Sequence, residues 1–142
     1  MELHPHLQQW DFLHFHRDLG IAVTAYSPLG NLNPVYAQPG APQSILHNEV
    51  IASIAEKRGC TKAQVVLAWG IERGTSVIPK SEKTEHILEN YEAQECRLQG
   101  EDYEDIEEIG KNETFRFNKQ SGFGVRLWEG LEDPGEVHTL PV

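Results

Sequence analysis

Two short apolar runs constrain the fold of this chain more than any other feature. The first, IAVTAY at residues 21–26, is nearly unbroken and rich in β-branched residues, and the second, TSVI at residues 75–78, runs directly into Pro79. Runs of this kind are typical of strands that are buried on both faces, as in a parallel sheet covered by helices. Helical patterns surround both runs and lie at residues 8–19, 48–59, 62–73, from about 84, and 101–110. This alternation predicts an α/β fold with a parallel sheet.

The number of predicted strands is small for such a sheet. A third strand is expected at MELHP, residues 1–5, but a doubly wound sheet needs more strands than that. A (β/α)₈ barrel needs about 250 residues, and this chain has 142. We therefore expect the chain to form part of a larger α/β architecture.

Composition narrows the class of protein. The net charge is −10, from 12 basic and 22 acidic residues, which argues against binding to nucleic acid phosphates. Much of the acid lies in residues 92–110, which we interpret as a solvated helix face. No apolar run is long enough to span a membrane and no signal peptide is evident, so we predict a cytoplasmic protein. The two cysteines, Cys60 and Cys96, are too few for a disulfide framework or a zinc motif, and we expect both to be free thiols.

Polar side chains follow both predicted strands. Tyr26 and Ser27 end the first strand, and Lys80 and Ser81 end the second, just before a helix. Ligands bind beyond the carboxyl ends of parallel strands, where an aromatic ring can stack and a lysine beside a helix start can hold phosphate. This pattern predicts a nucleotide pocket. A core tyrosine and a surface lysine are equally consistent with the spacing alone.

Four histidines form two H-x-H pairs, His4 with His6 and His14 with His16. Pro5 separates the first pair, and the second lies on a predicted helix, where residues two apart diverge. We therefore predict no metal site. The sequence also contains no P-loop, G-x-G-x-x-G or G-x-S-x-G motif, so no catalytic residue is assigned.

Five segments in order resemble the aldo-keto reductase family from about its sixth barrel strand onward. They are ELHPHLQQ (2–9), GIAVTAYSPLG (20–30), VIPKS (77–81), EHILEN (85–90) and FRFNKQSGFGV (115–125). The resemblance implies the C-terminal half of a (β/α)₈ TIM barrel. Residues 1–142 would then be a single incomplete domain of an NADP-dependent oxidoreductase, with an irregular tail at 112–142.

The resemblance also implies a cofactor site for NADPH, with NADH as the alternative. Tyr26 would stack on the nicotinamide ring, and Lys80 with Ser81 would contact the adenosine 2′-phosphate. His86 stands where the family commonly has an arginine, and a mostly neutral ring without a two-pronged donor implies a weaker preference for NADPH. The remaining implied contacts are Ser27, Leu29 and Asn31 along the pyrophosphate, and Glu89 and Asn90 at the adenine. In the tail, Phe123 and Trp128 are candidates for lining a substrate pocket.

The family's catalytic Asp, Tyr, Lys and His lie in the first half of the barrel and have no counterpart here. We therefore predict that the isolated chain reduces no carbonyl compound, and that a small carbonyl substrate binds only if the missing half is supplied. The alternative is a non-catalytic half-barrel module that binds a nucleotide or a partner protein.

Overall fold

A two-stranded parallel sheet lies at the centre of the computed structural model, which describes residues 1–33 and 39–118. Strand β1 is Val23–Tyr26 and strand β2 is Thr75–Ile78, in a register that pairs Val23 with Thr75 and Tyr26 with Ile78. The predicted third strand is reduced to one parallel bridge, from Glu2 to Tyr26 on the other edge of β1. Ile21 and Ala22 precede the strand and are exposed.

The described residues form five α-helices, and the ends of several follow local sequence signals. The Asn48 side chain accepts a hydrogen bond of 2.9 Å from the Val50 amide at one helix start. Thr61 and Gln64 form a capping box at the start of the next helix. Gly59, with a φ of 66°, ends the helix between them. The helices are α1 (Trp10–Asp18), α2 (Glu49–Arg58), α3 (Lys62–Glu72), α4 (Thr84–Tyr91) and α5 (Gly100–Asn112), with 3₁₀ turns at Ile45–His47 and Glu92–Glu95.

Helix α3 packs closely on β2. A Cβ on Gly70 would lie 2.9 Å from Cγ1 of Val77, so the glycine permits the close approach. The Thr75 hydroxyl donates a 2.7 Å hydrogen bond to the Gly70 carbonyl in the same contact. The core continues from this contact through buried side chains of β1, α2, α3 and α5, including Ala25, Ile51, Val65, Val66, Trp69 and Ile106.

The prediction that both strands are buried on both faces is wrong for the described residues. Val23, Ala25 and Thr75 face the helices and are buried, whereas Thr24 and Ser76 are exposed and Ile78 is 57% exposed. Strand side chains alternate between faces, and the described helices cover one face. The open face therefore carries side chains that a sequence pattern assigns to a core.

Two tryptophans, Trp10 on α1 and Trp69 on α3, enclose a buried arginine. The guanidinium carbon of Arg73 lies 3.8 Å from the ring centroid of Trp10 and 4.2 Å from that of Trp69. Burial lowers the pKa of Arg73 to about 10. The side chain remains a cation at neutral pH and ties α1 to α3 through stacking.

The prediction of free thiols is also wrong. A disulfide joins Cys60 and Cys96, whose Cα atoms are 5.9 Å apart. Cys60 lies between α2 and α3, and Cys96 follows the 3₁₀ turn after α4. Their sequence separation of 36 conceals the contact, because the tertiary fold alone brings these two junctions together.

Two further observations concern only residues 1–33 and 39–118. None of their helices has both the length and the apolar character needed to cross a membrane. No group of three or more histidine, cysteine, aspartate or glutamate side chains among them is arranged to hold a metal ion.

Candidate functional site

Two adjoining cavities open at the carboxyl ends of β1 and β2. The first has a volume of about 560 Å³ and lies between the loop Ser27–Asn33 and the segment Ile78–Lys80. The second has a volume of about 370 Å³ and lies between the starts of α3 and α4. Leu29, Leu32 and Lys80 line both, so the cavities form one continuous surface of a size that suits a nucleotide.

Eight of the nine predicted cofactor residues line these cavities. The loop after β1 contributes one group, the residues after β2 a second, and α4 a third. Sequence reasoning assigned these groups to one ligand, and the fold brings them together around one space. The eight are Ser27, Leu29, Asn31, Lys80, Ser81, His86, Glu89 and Asn90.

Tyr26, the ninth, lines neither cavity. It is half-buried at the end of β1, and its register with Ile78 puts both side chains on the open face of the sheet. Burial and the nearby Glu2 carboxylate raise the pKa of Tyr26, so the phenol is neutral at physiological pH. A neutral ring at a strand end, next to the first cavity, is compatible with stacking on a flat ligand.

Ser27 turns the chain out of β1 into the cavity wall. Its φ of 49° is left-handed, which is uncommon for a residue other than glycine. The Gly30 amide donates a 2.8 Å hydrogen bond to the Ser27 carbonyl, which closes the turn. The Ser27 hydroxyl accepts a 3.1 Å hydrogen bond from Nδ2 of Asn118, so the segment that follows α5 supports this turn.

Lys80 and Ser81 stand at the boundary of the two cavities. The Lys80 ammonium lies 2.6 Å from a Glu82 carboxylate oxygen, and both side chains are largely exposed. An exposed pair of this kind contributes little to stability, so an anion can replace Glu82. The Ser81 hydroxyl accepts a 3.2 Å hydrogen bond from the Lys83 amide and shapes the turn before α4.

Helix α4 forms the far wall of the second cavity without contributing a buried residue to the core. His86 is exposed, and Glu89 and Asn90 are half-buried. The Gln64 side chain donates a 3.2 Å hydrogen bond to the Glu89 carbonyl, which links α4 to the start of α3. The Cys60–Cys96 disulfide links the segment just before α3 to the end of the 3₁₀ turn that follows α4.

Comparison with known proteins identifies the family. A model described as the aldo/keto reductase family matches residues 1–111. The chain belongs to the aldo/keto reductase family. An uncharacterised oxidoreductase of Schizosaccharomyces pombe is 43% identical over 94% of this chain and 40% of that protein. The NAD(P)H-dependent D-xylose reductase of Scheffersomyces stipitis is 39% identical over 83% of this chain and 37% of that protein.

A solved structure gives the same result for the fold. The crystal structure of an aldo/keto reductase from Brucella melitensis superposes with a TM-score of 0.65 at 38% identity, covering 76% of this chain and 37% of that one. The chain therefore has an α/β fold similar to that of the aldo-keto reductase barrel. It spans about two fifths of the length of these relatives.

Sequence reasoning about this aldo-keto reductase chain missed one wall of the site. The start of α3 and the 3₁₀ turn before α2 line the second cavity through Leu46, His47, Thr61, Lys62 and Ala63. The capping box located the start of α3 but carried no information on what lies opposite it. The two substrate-pocket predictions, Phe123 and Trp128, lie outside the described residues.

Sequence reasoning also missed a buried carboxylate, Glu2, which holds the residues that contact the Ser27 turn. Glu2 is fully buried and accepts hydrogen bonds from the amides of Phe117 and Asn118, at 2.7 and 3.1 Å, and one of 3.0 Å from the ring of His4. Burial lowers the pKa of His4, so its ring is neutral and donates from Nε2. The ring of Phe117 approaches Gly30, where a Cβ would lie 3.0 Å from it.

Proposed function

We propose that this chain forms the cofactor-binding part of an NAD(P)H-dependent aldo-keto reductase. The observation that carries the proposal is the single surface at the strand ends, on which eight predicted cofactor residues converge. In this proposal the chain is the C-terminal half of a (β/α)₈ barrel. The nicotinamide dinucleotide, when bound, supplies the hydride for reduction of a small carbonyl compound.

The residues present fit that cofactor. Lys80 and the Ser81 hydroxyl offer a charge and a hydrogen bond to a 2′-phosphate, which favours NADPH. The loop from Ser27 to Asn33 follows the first cavity and offers its backbone and small polar groups to a pyrophosphate. Tyr26 presents a neutral ring for the nicotinamide, and Glu89 with Asn90 present acceptors and donors for the adenine.

We infer that this chain binds the dinucleotide but does not by itself reduce a carbonyl compound. The four catalytic side chains that the family resemblance implies have no counterpart at matching positions here. General acid catalysis contributes about 10²–10⁴-fold to such reactions. We therefore expect no measurable aldehyde reduction by the isolated chain.

The test is calorimetric titration of the chain with NADPH and NADH, repeated with Lys80→Ala. We expect saturable NADPH binding that weakens about tenfold in the variant, because a charge-assisted contact to phosphate is lost. Lys111→Ala is the matched control. Lys111 is also exposed and ion-paired, with Glu108, but it lines neither cavity. Failure of the parent chain to bind either dinucleotide would overturn the proposal.

A second candidate function, a non-catalytic half-barrel module, has one observation in its favour. Large apolar side chains are exposed on β2 and α4, among them Ile78, Leu88 and Tyr91. Such side chains are covered when a protein interaction completes the sheet. Dinucleotide binding together with self-association would support this candidate.

A further inference from the structure

Lys62 supplies a charge to the cofactor cavity that the family resemblance does not assign. It is the first residue of α3 and lines the same cavity as Lys80, Ser81 and His86. It therefore lies on the wall of the cavity in which the proposed function puts the 2′-phosphate. The question is whether its charge is free to act there.

The lysines differ in whether a carboxylate already holds them. Lys57, Lys80 and Lys111 are ion-paired, with Glu101, Glu82 and Glu108. Lys62 and Lys83 form no ion pair with a carboxylate among residues 1–33 and 39–118. Of these two, Lys62 lines the cavity and Lys83 does not.

Two ties fix the position of Lys62 relative to α4. The disulfide at Cys60 lies two residues before it, and the hydrogen bond from Gln64 to the Glu89 carbonyl lies two residues after it. The capping box between Thr61 and Gln64 fixes the backbone between these ties. The start of α3 is thus held against the helix that carries His86 and Glu89.

The negative charge at the cavity, from a bound phosphate and Glu89, exceeds the positive charge of Lys80. A phosphate monoester carries about −1.5 to −2 at pH 7. The Glu89 carboxylate lines the same space, and Glu82 competes for Lys80. His86 lacks the two-pronged donor with which an arginine would hold a phosphate. Lys80 alone leaves the phosphate and Glu89 under-compensated.

We propose that Lys62 is the second cation of the 2′-phosphate subsite, in the role that the family commonly gives to an arginine on the last helix. The inference rests on the proposed cofactor function and extends it. Specificity for NADPH then comes from α3 as well as from the segment between β2 and α4. Lys62 acts on the phosphate alone, so it distinguishes NADPH from NADH without changing the rest of the dinucleotide site.

The test is titration calorimetry of the parent chain, Lys62→Ala, Lys62→Arg and Lys83→Ala with NADPH and with NADH. We expect Lys62→Ala to weaken NADPH binding about tenfold and NADH binding less than about twofold, because a single charged contact to phosphate is removed. Lys62→Arg should restore most of the NADPH affinity. Lys83→Ala, which removes an unpaired lysine outside the cavity, should change neither affinity by more than about twofold.

Salt dependence provides a second readout. Raising the ionic strength should weaken NADPH binding more in the parent chain than in Lys62→Ala, since a screened charge pair is absent from the variant. Circular dichroism confirms that each variant is folded. An unchanged NADPH-to-NADH affinity ratio in Lys62→Ala would overturn this inference and leave the proposed function intact. Absence of binding to the parent chain would overturn both.

Discussion

At the scale of single residues, Glu2 is the side chain whose environment is most specific. Burial would raise the pKa of its carboxyl, but hydrogen bonds from His4, Phe117 and Asn118 outweigh that effect and hold the pKa below its usual value. A carboxylate that accepts several donors in a buried site is stable only while all of them are present. Glu2 therefore joins the N-terminal segment to the residues that support Ser27.

We expect Glu2→Gln to lower the free energy of unfolding at pH 7 by about 1–3 kcal/mol, because the new amide group would face amide donors. The stabilisation by the carboxylate is present above its unfolded pKa and is lost as the pH falls through the lower folded pKa. The stability difference between parent and variant should therefore narrow below about pH 4. Urea unfolding monitored across this range measures it.

Glu104→Gln is the control, since Glu104 is exposed on α5. It should leave stability within about 0.5 kcal/mol of the parent at every pH. Equal stabilities of Glu2→Gln and parent at pH 7 would show that the buried hydrogen bonds contribute nothing net.

At the scale of elements, local signals in the sequence were sufficient for most helices and insufficient for the sheet. The capping box of Thr61 and the glycine at position 59 locate helix ends because they act within a few residues. Burial of β1 and β2 on both faces was predicted from composition, yet one face is open. A run of apolar residues indicates that a strand is buried. It does not show whether the described residues include the elements that cover both faces of the strand.

The disulfide between α3 and the segment after α4 gives a prediction at the same scale. Its two cysteines are 36 residues apart, and closing a loop of this length restricts the unfolded chain by about 4 kcal/mol. We expect a dithiol reductant to lower the free energy of unfolding by roughly that amount. Urea unfolding with and without reductant tests this.

The double variant Cys60→Ala with Cys96→Ala is the control, and its unfolding should not respond to reductant. Thiol titration of the native parent chain should detect no free cysteine. Identical unfolding curves for the parent chain with and without reductant would contradict the prediction. They would indicate that the two cysteines are free thiols.

At the scale of the whole molecule, the convergence of residues at the strand ends was more predictable than the exposure of the outer surface. Lys80 and Ser27 follow strands, and parallel strands direct their carboxyl ends to one side, so their convergence follows from topology. Lys62 comes from a helix start opposite that edge, and its place depends on how α3 packs. The exposure of α4 likewise depends on contacts that no local pattern encodes.

The exposed apolar side chains lead to a prediction about association. Leu88 on α4 is 57% exposed, and Ile78 and Tyr91 are exposed nearby in sequence. Large exposed apolar side chains favour self-association. We expect the chain to associate as its concentration rises, and Leu88→Lys to shift it toward the monomer, as measured by size-exclusion chromatography with light scattering.

Val50→Lys is the matched control, because it adds the same charge on α2, at a side chain that is 36% exposed. It should associate as the parent chain does. A parent chain that is monomeric at all concentrations would show that these side chains remain in contact with water and would remove the support for the half-barrel module.

The hydrogen bond from Phe117 to Glu2 also has a consequence for the order of folding. It spans 115 residues, so the entropy of closing that long loop opposes it until most of the intervening chain is compact. During synthesis, Glu2 emerges long before its two amide donors do. Until then, the Glu2 carboxylate stays hydrated. Glu2 can become fully buried only after residues 117 and 118 have been synthesised and have reached it.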